Sequence, residues 1–291
     1  MDYGLALPNI GFDANVEGLT AAVELAEKHG FTDVWATDHL LVNQAAAEDY
    51  GRTYESLTTL AWLAAKSSTV RLGLSVVVVP MRNAVVLAKQ LATLDALSAG
   101  RAIAGFGVGW SEDEFANIGV RERFHQRGAY TEETVALCRH LWSGSAAPFD
   151  GRFFQFSDFV FQPLPDQGAA LPIWIGGRDE RALRRVGRIA DAYHASATSP
   201  ASYAPRIPII RDAAEAAGRP MPRLSARTRI ELGKDKESFY TIHGSPEEAA
   251  AEIRAFAELG VGHLVLMFPS RDAAGLERDV QRFVEDVRPL V

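Results

Sequence analysis

The chain has 291 residues, is 47% hydrophobic by count and carries a net charge of −7. That is enough apolar sequence for one large core, and α/β barrels commonly reach this length as a single unit. No Lys/Arg block stands out, which argues against nucleic acid as a partner, and no apolar run approaches the ~20 residues of a membrane span.

Short apolar strands alternate with longer amphipathic helices along almost the whole chain. "YGLALP" (3–8) reads as the first strand, "NVEGLTAAVELAEKHG" (15–30) as the first helix, with Gly30 as its C-cap. "DVWAT" (33–37) is the second strand, residues 55–68 the second helix, and "RLGLSVVVV" (71–79) the third strand. A helix over 83–100 precedes the fourth strand, "RAIAGFGVG" (101–109). The rhythm then breaks. Charged residues cluster from Arg121 to His125, and a long helix runs from about Gln126 to Trp142. "FDGRFFQFSDFVFQPLP" (149–165) alternates aromatics around Asp150-Gly151, which predicts a hairpin excursion. The region 144–171 is therefore an insertion, not a barrel strand.

Order resumes with "PIWIGG" (172–177) and a helix from Asp179. "ADAYHAS" (190–196) is the sixth strand, with a helix over 201–217, and "RLSARTRIEL" (223–232) is the seventh. "SPEEAAAEIRAFAELG" (245–260) begins with a Ser N-cap, Pro at the first helical position and two Glu in the first turn. "GHLVLMF" (262–268) is the eighth strand, and residues 273–287 form the closing helix. Eight strand–helix units imply a parallel sheet with right-handed crossovers. The expectation is a (β/α)8 TIM-type barrel, one domain over 1–291. A doubly wound sheet is disfavoured because no strand is followed by a compact G-x-G-x-x-G opening a helix.

The single cysteine, Cys138, excludes an internal disulfide and fits a reducing compartment. It lies in an apolar-periodic stretch and reads as a buried helix thiol. "MDYGLALPNIG" lacks the basic region and apolar core of a signal peptide. These features predict a cytoplasmic protein.

Barrel chemistry gathers at the carboxyl ends of the strands. "TDHLL" places Asp38 and His39 at the end of the second strand, and His39 is the one strand-end histidine expected to face the mouth. His194, inside the sixth strand, reads as a satisfied structural group. A metal site is not expected, because Asp38-His39 is almost all that the tops offer as ligands. No G-x-S-x-G supports a serine triad. "WIGGRDERAL" (174–183) fits two readings: a phosphate site built from Gly176, Gly177, Arg178 and a helix N-terminus, or a tight turn needing glycine. "GVGWSEDEF" also has two: glycines that admit a flat ligand walled by Trp110, or a helix start with Ser111 as N-cap and Glu114 three residues on.

"TDHLL", the stretch from Leu72 to Phe115, "PIWIGG" and "GSPEEAAAEIRAFAELGVGHLVLMF" together resemble the bacterial luciferase-like family. They are most similar to its oxidoreductases dependent on the deazaflavin coenzyme F420. The resemblance implies a barrel that binds the cofactor at the strand tops. Asp38 and His39 would contact its head, with His39 also facing the reacting carbon or substrate as the acid–base group. A non-prolyl cis peptide, frequent in the family, would fall at Ser75-Val76, with Val78 the next inward contact. Gly109, Trp110 and Asp113 match the loop beside the cofactor, Gly176 and Gly177 its phosphate site, and Ser196 a position near its tail or the substrate.

The family's sugar-phosphate dehydrogenases carry a catalytic Glu where Trp110 falls and a Lys where Ser199 falls. Both departures count against a sugar phosphate. A more apolar pocket with Trp110 and Phe268 is expected, and His39 is expected to lack a carboxylate partner from strand four. The alternatives are an FMN-dependent monooxygenase using oxygen, or a flavin-binding barrel without turnover. The resemblance also implies a homodimer.

Overall fold

A computed structural model describes residues 1–233 and 240–291. Its main sheet closes on itself through parallel pairings, giving a barrel of eight strands. The strands are Asp2–Ala6, Asp33–Ala36, Arg71–Leu74, Ala102–Gly107, Ile173–Ile175, Ala192–Ser196, Arg223–Leu232 and His263–Met267. All eight expected strands are present; seven lie within about two residues of their sequence bounds, and the third, expected over 71–79, stops at Leu74 and resumes at Val77–Val78. Two short pieces extend the sheet: Val77–Val78 continues the third strand beside the fourth, and Thr241–Gly244 pairs with the upper part of the seventh.

Helices cover the outside of the barrel. Their starts are set locally by side chains that accept the free N–H groups of the first turn. Asn15 accepts from Gly18 N, Asn83 from Val85 and Val86 N, Asp179 from Ala182 N, and Ser245 from Glu248 N. Ser245 and Glu248 close a full capping box with Pro246 between them, as the sequence pattern requires.

Two helices differ from expectation. The 201–217 segment is split into Pro200–Tyr203 and Arg206–Ala216. Pro205 sits at the break, where a proline lacks the N–H that a continuous helix needs. The final helix ends its regular part at Arg282 and passes into a π turn over Phe283–Val287. That wider turn puts Phe283 and Val287 in the core together, both fully buried, with Phe283 edge-on to Tyr3 at 5.3 Å.

The 144–171 excursion is a hairpin, Phe149–Asp150 antiparallel to Gln155–Phe156. Glu133 of the helix Arg127–Trp142 holds it by accepting from the backbone N–H groups of Arg152, Phe153 and Phe154. Cys138 on the same helix is fully buried, and burial pushes its thiol well above the ordinary range. Among the described residues no helix is long and apolar enough to cross a membrane.

The barrel interior is partly polar. Trp35 and Trp174 meet at 4.9 Å between ring centres, and Trp35 stacks on His194 at 4.6 Å. Near the lower end Asp33 accepts from Trp35 Nε1 and lies 2.9 Å from His263 Nε2. The upper end of the interior is the candidate site.

Candidate active site

The third strand does not run straight into its loop. The Ser75-Val76 peptide is cis, at the position the resemblance marks. Ordinary strand geometry stops at Leu74 and resumes at Val77. The fourth strand makes room for this bulge. A Cβ on Gly105 would lie 1.6 Å from Leu74 O, one on Gly107 2.3 Å from Val76 Cγ2, and one on Gly109 2.7 Å from Val78 Cγ1. The alternate glycines of "GFGVG" therefore serve the neighbouring strand.

Asp38 fixes the same bulge from the other side. Its carboxylate is buried and accepts from Val78 N at 2.9 Å, Ser56 Oγ at 2.7 Å and Arg82 Nη2 at 2.6 Å. Arg82 also bridges to Glu55 at 2.9 Å. Burial works against the Arg82 cation, but the Asp38 and Glu55 carboxylates outweigh it and raise its pKa. Both Asp38 oxygens are thus engaged by protein donors, and the residue reaches the mouth through the backbone it holds.

His39 is turned the other way. Its Nδ1 lies 2.9 Å from Glu114 Oε2. A carboxylate only accepts, so Nδ1 carries the proton. Glu114 Oε1 accepts the Leu40 N–H at 2.6 Å. Burial alone would raise the Glu114 carboxyl; the bonds from His39 and the Leu40 N–H overcome this and hold it below its ordinary value. This corrects the expectation that His39 lacks a carboxylate partner. The partner comes from the helix after the fourth strand, Glu112–Asn117. Ser111 does cap that helix, accepting from Glu114 N at 3.3 Å, but the Glu114 side chain points at His39 instead of closing a capping box. No hydrogen bond engages His39 Nε2 among the described residues. Tyr50 packs on the ring at 4.3 Å and Trp110 stands edge-on at 6.1 Å.

The remaining sequence candidates divide. Trp110 is 62% exposed and walls the mouth beside His39 and Tyr50. Ser75 is nearly buried, its hydroxyl on His194 Nε2 at 2.8 Å. Val76 and Val78 form the bulge itself. Ser196 is exposed at the upper end of the sixth strand. Asp113 is exposed and accepts from Asn43 Nδ2 at 2.8 Å, so it ties two loops together on the outside. Phe268 does not line the mouth: it is 3% exposed and packs outward on Phe283 at 6.1 Å. Phe268 is thus lost from the expected apolar pocket, while Trp110 stays at the mouth and a cation is added beneath it. Arg227 enters from the seventh strand, buried, with Nη1 on Ser75 O at 3.0 Å and Nη2 on Thr37 Oγ1 at 2.8 Å. Burial, and then the neighbouring Arg271, bring the Arg227 pKa down to about 10.

Gly176 and Gly177 turn from the fifth strand into the helix Glu180–Ile189. Gly177 has φ +141°, and a Cβ there would lie 2.4 Å from Ala182 Cβ. Only glycine lets the backbone pass so close to the start of that helix, so the tight-turn reading holds. The phosphate reading is narrowed by it: Asp179 already caps Ala182 N and Gly176 N donates to Phe106 O at 3.1 Å, which leaves an anion the other N–H groups of the turn. Arg178 is exposed beside it. The adjoining cleft, about 1030 Å3, is lined by Arg127, Arg152, Arg181, Arg184 and Arg185 together with Asp179 and Glu180. Arg184 pairs with Glu180 and Arg185 with Glu132; the cations still in excess fit a cofactor with a phosphate and an acidic tail.

The luciferase-like monooxygenase family profile matches residues 8–238. The chain belongs to this family. It is 27% identical to an F420-dependent glucose-6-phosphate dehydrogenase of Kineococcus radiotolerans, over 91% of this chain and 90% of that one. In fold it is similar to the F420-dependent tetrahydromethanopterin reductase of Methanopyrus kandleri, with TM-score 0.82 and 19% identity over 99% of this chain and 98% of that one. The oxygenating constituent of 3,6-diketocamphane monooxygenase from Pseudomonas putida, in complex with FMN, also has TM-score 0.82, with 13% identity over 100% and 98% of the two chains. Luciferase-like barrels thus share this frame across different cofactors.

Glu114, Arg82 and Arg227 are the site residues that sequence reading passed over. Glu114 was visible only as a helix-cap partner. Arg227 sits two residues from Ser225 and Arg229 in a strand, and alternation puts all three on the inner face.

Proposed function

We propose that this protein is an oxidoreductase that moves a hydride between coenzyme F420 and a small organic substrate other than a sugar phosphate. The observation that carries the reading is the His39–Glu114 couple at the barrel mouth, beside the bulged third strand. The relatives named for F420 support the choice of cofactor. When bound, F420 supplies the carbon that takes or gives the hydride.

The protein's own residues supply the rest. Glu114 keeps His39 in the tautomer whose Nε2 is a bare acceptor, so His39 is placed to take a proton from the substrate oxygen as hydride leaves, or to return it in the reverse direction. Trp110 and Tyr50 exclude water from that imidazole. Asp38, through Val78 N, holds the third-strand bulge that would back the cofactor ring, with Ser75 and Val76. Gly109 keeps the fourth strand close. Gly176, Gly177 and the adjoining helix N-terminus would receive the phosphate, with Arg178 and the arginine-edged cleft beyond. Ser196 stands where the tail or substrate would pass. Against a sugar phosphate stand Trp110, in place of a carboxylate, and Ser199, which is used as a helix cap.

Parallel fluorescence titrations with F420 and FMN test the reading. The expected result is saturable F420 binding that His39→Ala retains, with loss of turnover and no oxidation of glucose 6-phosphate. Binding of reduced FMN with oxygen consumption, and none of F420, overturns it in favour of a monooxygenase.

A further inference from the structure

A chain of hydrogen bonds crosses the barrel interior from its lower end to the candidate site. Asp33 Oδ1 lies 2.9 Å from His263 Nε2. His263 Nδ1 lies 2.8 Å from Ser225 Oγ. Ser225 Oγ lies 3.0 Å from His194 Nδ1, and His194 Nε2 lies 2.8 Å from Ser75 Oγ. His263 and Ser225 are wholly buried, and His194 is 1% exposed. None of these groups takes part in the proton transfer assigned to His39.

The chain has a direction. The Asp33 carboxylate only accepts, so His263 Nε2 bears a proton. Ser225 has a single O–H and touches two imidazole nitrogens, so it donates to one and accepts from the other. If His263 is singly protonated, its bare Nδ1 takes the Ser225 O–H. His194 Nδ1–H then donates to Ser225, and bare His194 Nε2 takes the Ser75 O–H. If His263 is doubly protonated, every bond above it reverses, and the Ser75 O–H is released toward the mouth.

The Ser75 end selects the first arrangement. Arg227 Nη1 stands 3.5 Å from Ser75 Oγ and can only donate to it. His194 Nε2 is therefore the acceptor that the Ser75 O–H meets among the described residues. In the reversed arrangement Ser75 Oγ would take two donors and its own O–H would meet no acceptor there. Burial above all holds His194 well below the usual imidazole range, so it bridges the two serines as a neutral ring.

We propose that His194 is a positioning residue that turns the Ser75 O–H into the barrel, so that Ser75 presents only lone pairs to the mouth. Ser75 then accepts from an N–H donor, such as the ring imide that deazaflavins and flavins share, and does not donate to a ring carbonyl. The inference rests on the cofactor lying against Ser75, as proposed above, but its first test needs no cofactor.

Long-range proton–nitrogen correlation on the ¹⁵N-histidine-labelled apo protein reads the tautomers directly, with His194→Gln and His263→Gln for assignment. The expected pattern is His194 protonated at Nδ1 and His263 at Nε2. His194 protonated at Nε2, or a doubly protonated His263, overturns the proposal. Ser225→Ala then cuts the chain with little change of volume. It is expected to weaken cofactor binding ~3- to 10-fold, the span of one ordinary hydrogen bond, with Ser225→Thr recovering part of the loss. Unchanged affinity in a folded Ser225→Ala protein overturns the positioning role. Failure of the wild type to bind F420 or FMN instead defeats the cofactor reading and leaves the tautomer result standing.

Discussion

His39 Nδ1 and Glu114 Oε2 stand 2.9 Å apart, joined across the barrel mouth from the loops after the second and fourth strands. Glu114 both orients the ring and fixes its proton, so the two residues should fail in different ways. His39→Ala removes the acid–base group and is expected to lower turnover ~100-fold or more. Glu114→Gln keeps the shape but offers an amide that can donate to Nδ1 and favour the wrong tautomer, with a loss of at least ~10-fold. Steady-state kinetics beside cofactor titration checks this: kcat should fall in both variants while cofactor affinity changes little. Equal activity in Glu114→Gln and wild type removes Glu114 from the mechanism.

The Asp38–Arg82–Glu55 cluster makes a stability prediction. Arg82→Met leaves the Asp38 carboxylate buried without its cation. Breaking one partner of a buried pair costs about 3 kcal/mol or more, which lowers Tm by several degrees. Asp38→Asn should lose less stability, because the amide oxygen still meets Val78 N. Thermal unfolding of the two variants gives the order, and an Arg82→Met protein as stable as wild type contradicts the assignment.

Much of the frame was legible in the sequence. Strand–helix alternation fixed all eight barrel strands, because buried parallel strands read as short apolar runs whatever their neighbours. Asp38, His39 and the glycine turn at Gly176-Gly177 were visible because they interrupt such runs at strand ends. Other features depend on contacts between distant segments. Glu114 belongs to His39 only once two loops meet, and nothing in "SEDEF" distinguishes that from a cap. Phe268 ends an apolar strand, so it looked like a pocket wall; the side of the strand it takes is decided by Phe283, beyond the reach of local pattern. Pro205 and the π turn at Phe283 lay inside otherwise helical periodicity.

The glycines of the fourth strand separate close approach from backbone conformation. A Cβ at position 105 meets the backbone oxygen of Leu74 at 1.6 Å, whereas one at Gly119 meets nothing within 4 Å, though φ there is +79°. Gly105→Ala must therefore push the third and fourth strands apart, at a cost of about 4 kcal/mol or more. Gly119→Ala pays only for a left-handed residue, about 1 kcal/mol. Denaturant unfolding should find Gly105→Ala poorly folded and without cofactor binding, and Gly119→Ala close to wild type. Comparable losses in the two would mean that the strand contact is not what demands glycine at 105.

Glu27 gives the acid limb a definite sign. Its Oε1 accepts from Ser68 N at 2.7 Å, Thr69 N at 2.6 Å, Thr69 Oγ1 at 2.9 Å and Val70 N at 3.4 Å. These bonds tie the first helix to the turn that enters the third strand. Partial burial would raise the carboxyl, but the Thr69 and Ser68 bonds prevail and lower its pKa to about 2. The unfolded value is about 4.3, so the folded state binds its proton less readily than the unfolded one. The stabilisation is therefore complete above the unfolded pKa and is lost as pH falls toward the folded one. Tm measured from about pH 5 down to pH 2.5 should fall less steeply in Glu27→Gln than in wild type, with the variant less stable at neutral pH. Parallel Tm curves across that window would show that Glu27 has the same affinity for its proton in both states.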